Sequence, residues 1–206
     1  MLVKEREFYS PEVKLIVGLD EAGRGPLAGP LYCAAVVFDP SYENEEINDS
    51  KKLSPKKREA LYDVIIKNAL AYAIVSASVE EIDKYNILEA DKRIMEKALT
   101  LINAPYDLII TDDVPLHHPN KPLISMIKGD AQCLNVAAAS ILAKVSRDRY
   151  MDELDKKYPE YGFKKHKGYG TALHLEALRK YGPIEGVHRK TFRPVSDYYL
   201  KQETLF

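Results

Sequence analysis

The sequence predicts an α/β chain, a mixed sheet with helices packed on it. Three observations carry this. Residues 13–19 and 31–38 are runs of Val, Ile, Leu, Tyr and Ala that read as strands. From residue 70 onward, strand patterns and helix patterns alternate. Asp107-Leu108-Ile109-Ile110-Thr111 is a continuous apolar strand, the pattern of a strand covered on both faces.

Taken in order, the glycine-rich stretch Gly18–Pro30 joins the first two strands by a wide hairpin-like loop. Asp39-Pro40 breaks the second strand, and an acidic loop follows. Ser54-Pro55 is a helix start, with a Ser cap and Pro in the first turn, and the helix runs to about Asn68. Ala71–Val79 is the third strand, and Val79-Glu80-Glu81-Ile82 begins a helical turn. Asn86–Ile102 has apolar residues near helical spacing. The strand at 107–111 ends in Asp112-Asp113, and a proline-studded loop leads to a short fifth strand, Leu123–Ile127. Ala131 to about Lys157 is a helix whose first half is small and apolar, fit for close packing on a sheet. Lys164–Gly170 reads as a basic loop, Thr171–Lys180 as a helix, and the tail as loop with one more short helix.

Composition narrows the function classes. A hydrophobic fraction of 46% permits a sizeable core, and 30% charged residues indicate a soluble surface. The longest charge-free stretch, Ala131–Ala143, is too short and too polar to span a bilayer, and the N-terminus has no apolar signal region. A cytoplasmic protein is expected, with Cys33 and Cys133 as buried reduced thiols. A net charge of -1 rules out a uniformly basic nucleic-acid binder. Basic clusters nevertheless occur at 51–58, 144–149, 164–167 and 188–193, so a local basic face remains open; taken singly, each reads as a solvated face.

Four carboxylates stand at or just past the ends of apolar strands: Asp20, Glu21, Asp112 and Asp130. Converging acids repel, and divalent cations relieve the repulsion. Oxygen-only ligands favour Mg²⁺ or Mn²⁺. Two such ions about 4 Å apart suit phosphodiester hydrolysis. Each acid also has a bland explanation: Asp130 as a helix N-cap, Asp112 and Asp113 as turn formers. Asp20-Glu21, placed between an apolar run and a glycine turn, serves no packing purpose. Gly23-Arg24-Gly25 offers backbone N–H groups and a guanidinium to phosphate or sugar oxygens, but it is not a P-loop.

The stretch Asp20-Glu21-Ala22-Gly23-Arg24-Gly25-Pro26-Leu27-Ala28-Gly29-Pro30 resembles the signature of ribonuclease HII, the type 2 ribonuclease H. The resemblance continues through Asn48–Ser54, Lys128-Gly129-Asp130, Ala137–Val145 with Arg147-Asp148-Arg149, and His166–Thr171, and it covers about residues 15 to 195. It implies a ribonuclease H-like fold: a five-stranded mixed sheet flanked by helices, with a C-terminal helical extension. A single catalytic domain over 1–206 is expected, with about 160–206 as its helical portion and tail. The implied metal ligands and catalytic residues are Asp20, Glu21, Asp112 and Asp130. The implied substrate contacts are Gly23, Arg24 and Gly25 at the ribonucleotide 2′-OH, Lys52, and Tyr169 stacked on the next deoxynucleotide. The implied partners are RNA/DNA hybrids and DNA with embedded ribonucleotides, met by a monomer. The family usually has Asp-Gly where this chain has Asp112-Asp113, which leaves Asp113 as a rival ligand. His117 and His118 match nothing in the family and read as surface residues. Gln202-Glu203-Thr204-Leu205-Phe206 resembles the short peptide by which many bacterial enzymes dock on the replication sliding clamp. The competing readings are a non-catalytic binding domain, against which the full acid set argues, and a type 3 ribonuclease H, which usually carries an extra N-terminal domain.

Overall fold

Five strands, β1 (Ile16–Ala22), β2 (Leu31–Val37), β3 (Ala71–Ala77), β4 (Leu108–Asp112) and β5 (Leu123–Met126), form one sheet in the order β3-β2-β1-β4-β5. β1 is antiparallel to β2 and parallel to β4, and β4 is parallel to β5, so the sheet is mixed. The helices are α1 (Pro55–Asn68), α2 (Val79–Tyr85), α3 (Ile87–Leu101), α4 (Leu134–Lys157), α5 (Phe163–His166), α6 (Ala172–Tyr181) and α7 (Val195–Glu203). This computed structural model describes residues 4–203, with side chains through 200.

Local signals set the ends of these elements. The Ser54 hydroxyl accepts from Lys57 N–H at 3.2 Å and caps α1. Ser78 and Glu81 form a reciprocal capping box at α2, and Thr171 caps α6. Several boundaries differ from the sequence reading: β3 ends at Ala77 rather than Val79, and α4 begins at Leu134 rather than Ala131 because a 3-10 turn, Gly129–Ala131, precedes it. β1 begins at Ile16 and extends to Ala22, because pairing of Asp20, Glu21 and Ala22 with Ala34, Cys33 and Tyr32 carries the strand on. The two acids therefore lie within the strand rather than past it. The basic stretch after 162 begins with the short helix α5 rather than loop.

The chain divides into two compact units. The first holds residues through Ala22, Tyr32–Val75 and Lys92–Val145; the second holds Gly23–Leu31, Ser76–Asp91 and residues from Ser146 on. In the first, the small residues of α4 decide the packing. Ala137, Ala138, Ala139 and Ala143 are fully buried in a core with Val36, Phe38, Leu61 and Ile65. Gly18 shows how close the helix comes: a Cβ there would lie 2.4 Å from the backbone of Asn135 and Val136. Buried Asn135 accepts from Phe38 N–H at 2.8 Å and donates to Glu5 Oε1 at 2.5 Å, which ties the N-terminal turn Lys4–Phe8 to the helix. In the second unit, Ala28, Met151, Leu154, Tyr161, Phe163 and Ala177 form one apolar cluster, and Leu27, Leu178 and Val195 another. Cys33 and Cys133 are buried thiols not joined in a disulfide, and no helix among the described residues is long and apolar enough to cross a membrane.

Candidate active site

Asp20 comes from β1, Asp112 from the last position of β4, and Asp130 from the 3-10 turn Gly129–Ala131 ahead of α4. β1 and β4 are parallel neighbours, so their C-terminal ends lie side by side. Gly129 N–H donates to Asp112 Oδ1 at 2.7 Å and brings the turn to the end of β4. Each of the three carboxylates offers an oxygen within 4.8 Å of the others. Asp20 and Asp130 are buried and Asp112 is partly so. Asp130 lies inside the turn and not at the N-cap of α4, so capping does not account for it.

Such a group resists ionisation. Burial, then the charges of Glu21, Asp112 and Asp130, raises the Asp20 pKa well above the usual carboxylate value. Burial also raises Asp112, partly offset by the Gly129 hydrogen bond. Asp130 is raised by burial and by Asp112, and lowered by Lys51. The Lys51 ammonium lies 3.5 Å from Asp130 Oδ2. Its own pKa is held up: burial works against its charge, but Asp130 and Asp20 outweigh it. A buried set of hard oxygen donors carrying excess negative charge fits a small divalent cation.

Glu21 follows Asp20 on β1, where successive side chains alternate sides, and its carboxylate is outside the group of three. Asp113 is also outside it. Its φ of 50° is left-handed, a conformation that glycine takes freely and aspartate tolerates. The structure thus brings Asp112, and not Asp113, to Asp20. Lys52 is exposed, with Nζ 4.0 Å from Asp49 Oδ2. Sequence reasoning passed over its neighbours Lys51 and Asp49. Asp49 caps the turn Ser50–Lys52, accepts from Lys51 N–H at 2.9 Å and raises the Asp130 pKa. The block Asn48–Ser54 was the signal that could have found them.

In the second unit the loop Gly23–Pro30 is held from within. Arg189, fully buried, donates to Gly29 O at 3.0 and 2.9 Å, to Arg24 O at 2.9 Å and to Gly23 O at 2.6 Å. Arg147, also buried, donates to Pro30 O at 3.0 Å, Ala28 O at 3.0 Å and Lys167 O at 2.9 Å. These residues lie in two of the basic clusters that read singly as solvated faces; instead their guanidiniums satisfy loop carbonyls. Gly23 has φ 108°, and a Cβ there would lie 2.2 Å from Arg147 Nε, so only glycine fits. Arg24 Nε lies 3.6 Å from Oδ2 of buried Asp91. The Tyr169 ring is brought to the same loop, with Cε1 3.7 Å from a Cβ built on Gly25.

A family model for ribonuclease HII matches residues 17–195. The chain belongs to the ribonuclease HII family. Ribonuclease HII of Acholeplasma laidlawii is 48% identical over 98% of this chain and 98% of its own length, and that of Fusobacterium nucleatum is 50% identical over 89% and 88%. Among solved structures, the ribonuclease H2 of Pyrococcus horikoshii superposes with a TM-score of 0.78 at 29% identity, covering 92% of this chain and 99% of that one. The ribonuclease HII of Archaeoglobus fulgidus, solved in complex with PCNA, gives 0.70 at 26% identity, over 89% and 100%. The fold is ribonuclease H-like, and membership in the ribonuclease HII family makes the chain an endoribonuclease of the ribonuclease H type.

Proposed function

We propose that the chain hydrolyses the phosphodiester on the 5′ side of a ribonucleotide, in an RNA/DNA hybrid or embedded in duplex DNA, and leaves 3′-OH and 5′-phosphate ends. The observation that carries the reading is the meeting of Asp20, Asp112 and Asp130 oxygens within 4.8 Å at the ends of adjacent strands. In this reading those three hold Mg²⁺ or Mn²⁺, with Glu21 as the fourth acid. Bound there, the cations would lower the pKa of the attacking water and stabilise charge on the leaving oxygen. The three carboxylates fix where the cations sit, and their mutual repulsion favours cation binding over an empty site. Lys51 limits that repulsion at Asp130. The Gly23-Arg24-Gly25 backbone, held rigid by Arg189 and Arg147, reads the 2′-OH that separates RNA from DNA. Tyr169 offers its exposed ring to the neighbouring deoxynucleotide sugar.

Asp20→Asn and Asp130→Asn, made singly, are expected to abolish Mg²⁺-dependent nicking of a duplex carrying one ribonucleotide. Full activity in both would sink the metal assignment. A 2′-deoxy replacement at the embedded ribonucleotide should remove cleavage at that position. The C-terminal peptide Gln202–Phe206 is proposed to dock on a sliding clamp; the side chains of 201–203 and all of 204–206 lie outside the described residues. Deletion of 202–206 should abolish clamp binding while nicking of the free duplex persists.

A further inference from the structure

Three histidines are buried together in the second unit: His166, His174 and His188 are 7%, 0% and 0% exposed. The His166 and His174 rings stack with centroids 4.4 Å apart, and the His174 and His188 centroids are 5.3 Å apart. Phe163 lies against all three. Ring nitrogens in such surroundings need partners, and the partners here fix the protons. Ile184 N–H donates to His188 Nδ1 at 2.9 Å, so that nitrogen presents its lone pair. In a neutral ring the proton then sits on Nε2. His188 Nε2 lies 3.1 Å from His174 Nε2, so His188 donates and His174 accepts. The His174 proton is thereby placed on Nδ1, 3.0 Å from the Tyr169 carbonyl oxygen.

One set of tautomers satisfies the whole chain from Ile184 N–H to Tyr169 O. An extra proton on either ring would set two N–H groups against each other. Burial pushes both His174 and His188 down to about 4, which keeps the pair neutral at pH 7. The Tyr169 backbone is pinned further: its carbonyl accepts from Thr171 N–H at 2.8 Å, and its N–H donates to His166 O at 2.9 Å. The residue as a whole, by contrast, is 45% exposed.

We propose that His174 and His188 are positioning residues, a neutral, tautomer-locked pair that fixes the main chain of Tyr169 and so the angle its ring presents to the substrate. The proposal rests on the reading of Tyr169 as the platform for the deoxynucleotide sugar. It assigns the two histidines to recognition of the junction and not to the bond-breaking step.

Long-range ¹H–¹⁵N spectra of the full chain at pH 7 test the pair directly. His188 is expected as the Nε2–H tautomer and His174 as the Nδ1–H tautomer. Reversed tautomers, or an imidazolium at either position, would overturn the proposal without any variant. Substitution then separates positioning from mere filling of space. His174→Asn keeps an amide donor near the place of Nδ1, whereas His174→Gln moves it toward the place of Nε2 and leaves Tyr169 O one bond short. His174→Gln is expected to raise KM for a duplex with one ribonucleotide on the order of tenfold, with kcat held, and His174→Asn to recover most of that loss. Equal losses in the two variants, or a loss confined to kcat, would overturn it. Failure of the platform reading shows separately: Tyr169→Ala would then leave KM unchanged, while the tautomer spectra still decide whether the pair exists.

Discussion

Asp20→Asn should stabilise the metal-free protein while it abolishes cleavage. Asp20 is 4% exposed, and its ligand oxygen lies within 4.8 Å of those of Asp112 and Asp130. At an effective dielectric of about 20, two unit charges at that distance repel by about 3.5 kcal/mol. Asp20 makes two such pairs, so the fully ionised group would carry about 7 kcal/mol of repulsion through this residue alone. Protonation caps the cost, because a carboxyl gives up its charge before bearing all of it. Lys51, 3.5 Å from Asp130, offsets a further share. A net gain of about 1–3 kcal/mol from the neutral amide follows, and each kcal/mol is worth about 2–4 °C in Tm for a chain of this size. The sign depends on pH in a definite way. The folded pKa of Asp20 is raised, so its carboxyl costs nothing below the unfolded value of about 3.9, and the penalty grows as pH rises toward the folded pKa. The gain from Asn is therefore expected at pH 8 and absent at pH 4. Thermal unfolding in chelator at both values measures it. Mn²⁺ should raise the Tm of the parent protein and raise that of the variant far less. A variant less stable than the parent in chelator at pH 8, or one that still cleaves, would refute the argument.

Lys51→Ala removes a cation from beside Asp130; because Lys51 is mostly exposed, stability of the metal-free protein should fall by under about 1 kcal/mol, while calorimetry should show tighter Mn²⁺ binding. Gly18→Ala places a methyl 2.4 Å from the α4 backbone and should cost about 1–3 kcal/mol or more in urea unfolding. Arg189→Lys substitutes a single ammonium for a fork that reaches Gly23, Arg24 and Gly29 oxygens together, so cleavage at a single ribonucleotide should fall at least about tenfold while Mn²⁺ binding to the acids persists.

Much of this was legible in the sequence, for identifiable reasons. Apolar runs predicted all five strands, and Ser54-Pro55 marked the start of α1 within one residue. The alanines of 137–143 announced close packing, and Gly18 supplies the contact that needs it. Asp20 and Asp130 stood out because strand ends are where ligands meet, and long-range pairing did the rest. Between Asp112 and Asp113, register with the apolar run favoured Asp112 and left Asp113 as a rival; the structure groups Asp112 with Asp20 and Asp130. What the sequence did not mark is where β4 stops: Asp112 still pairs with Met126, whereas Asp113 lies past the strand with a left-handed φ of 50°. The roles of Lys51, Arg189 and His188 were hidden for a related reason. Charge pattern alone presents a basic residue as solvated, and only tertiary contacts show that Arg189 serves carbonyls and that His188 serves a ring nitrogen.

The buried charges of the two units are handled by opposite means, and the difference bears on function. Asp20, Asp112 and Asp130 are left facing one another, an arrangement that favours whatever cation arrives. Arg189 instead makes four hydrogen bonds to carbonyl oxygens. Burial, reinforced by Arg147, pulls its pKa down to about 9, which still leaves it charged at pH 7. A carboxylate in the place of those carbonyls would have cancelled the charge; dipoles anchor the fork without cancelling it. The loop Gly23–Pro30 is thereby shaped by a side chain that also keeps its positive charge there, in a protein whose net charge is -1. On the proposed function, that retained charge adds attraction for a phosphate backbone at the loop proposed to read the 2′-OH, without the salt-sensitive, sequence-blind grip that a uniformly basic surface would exert.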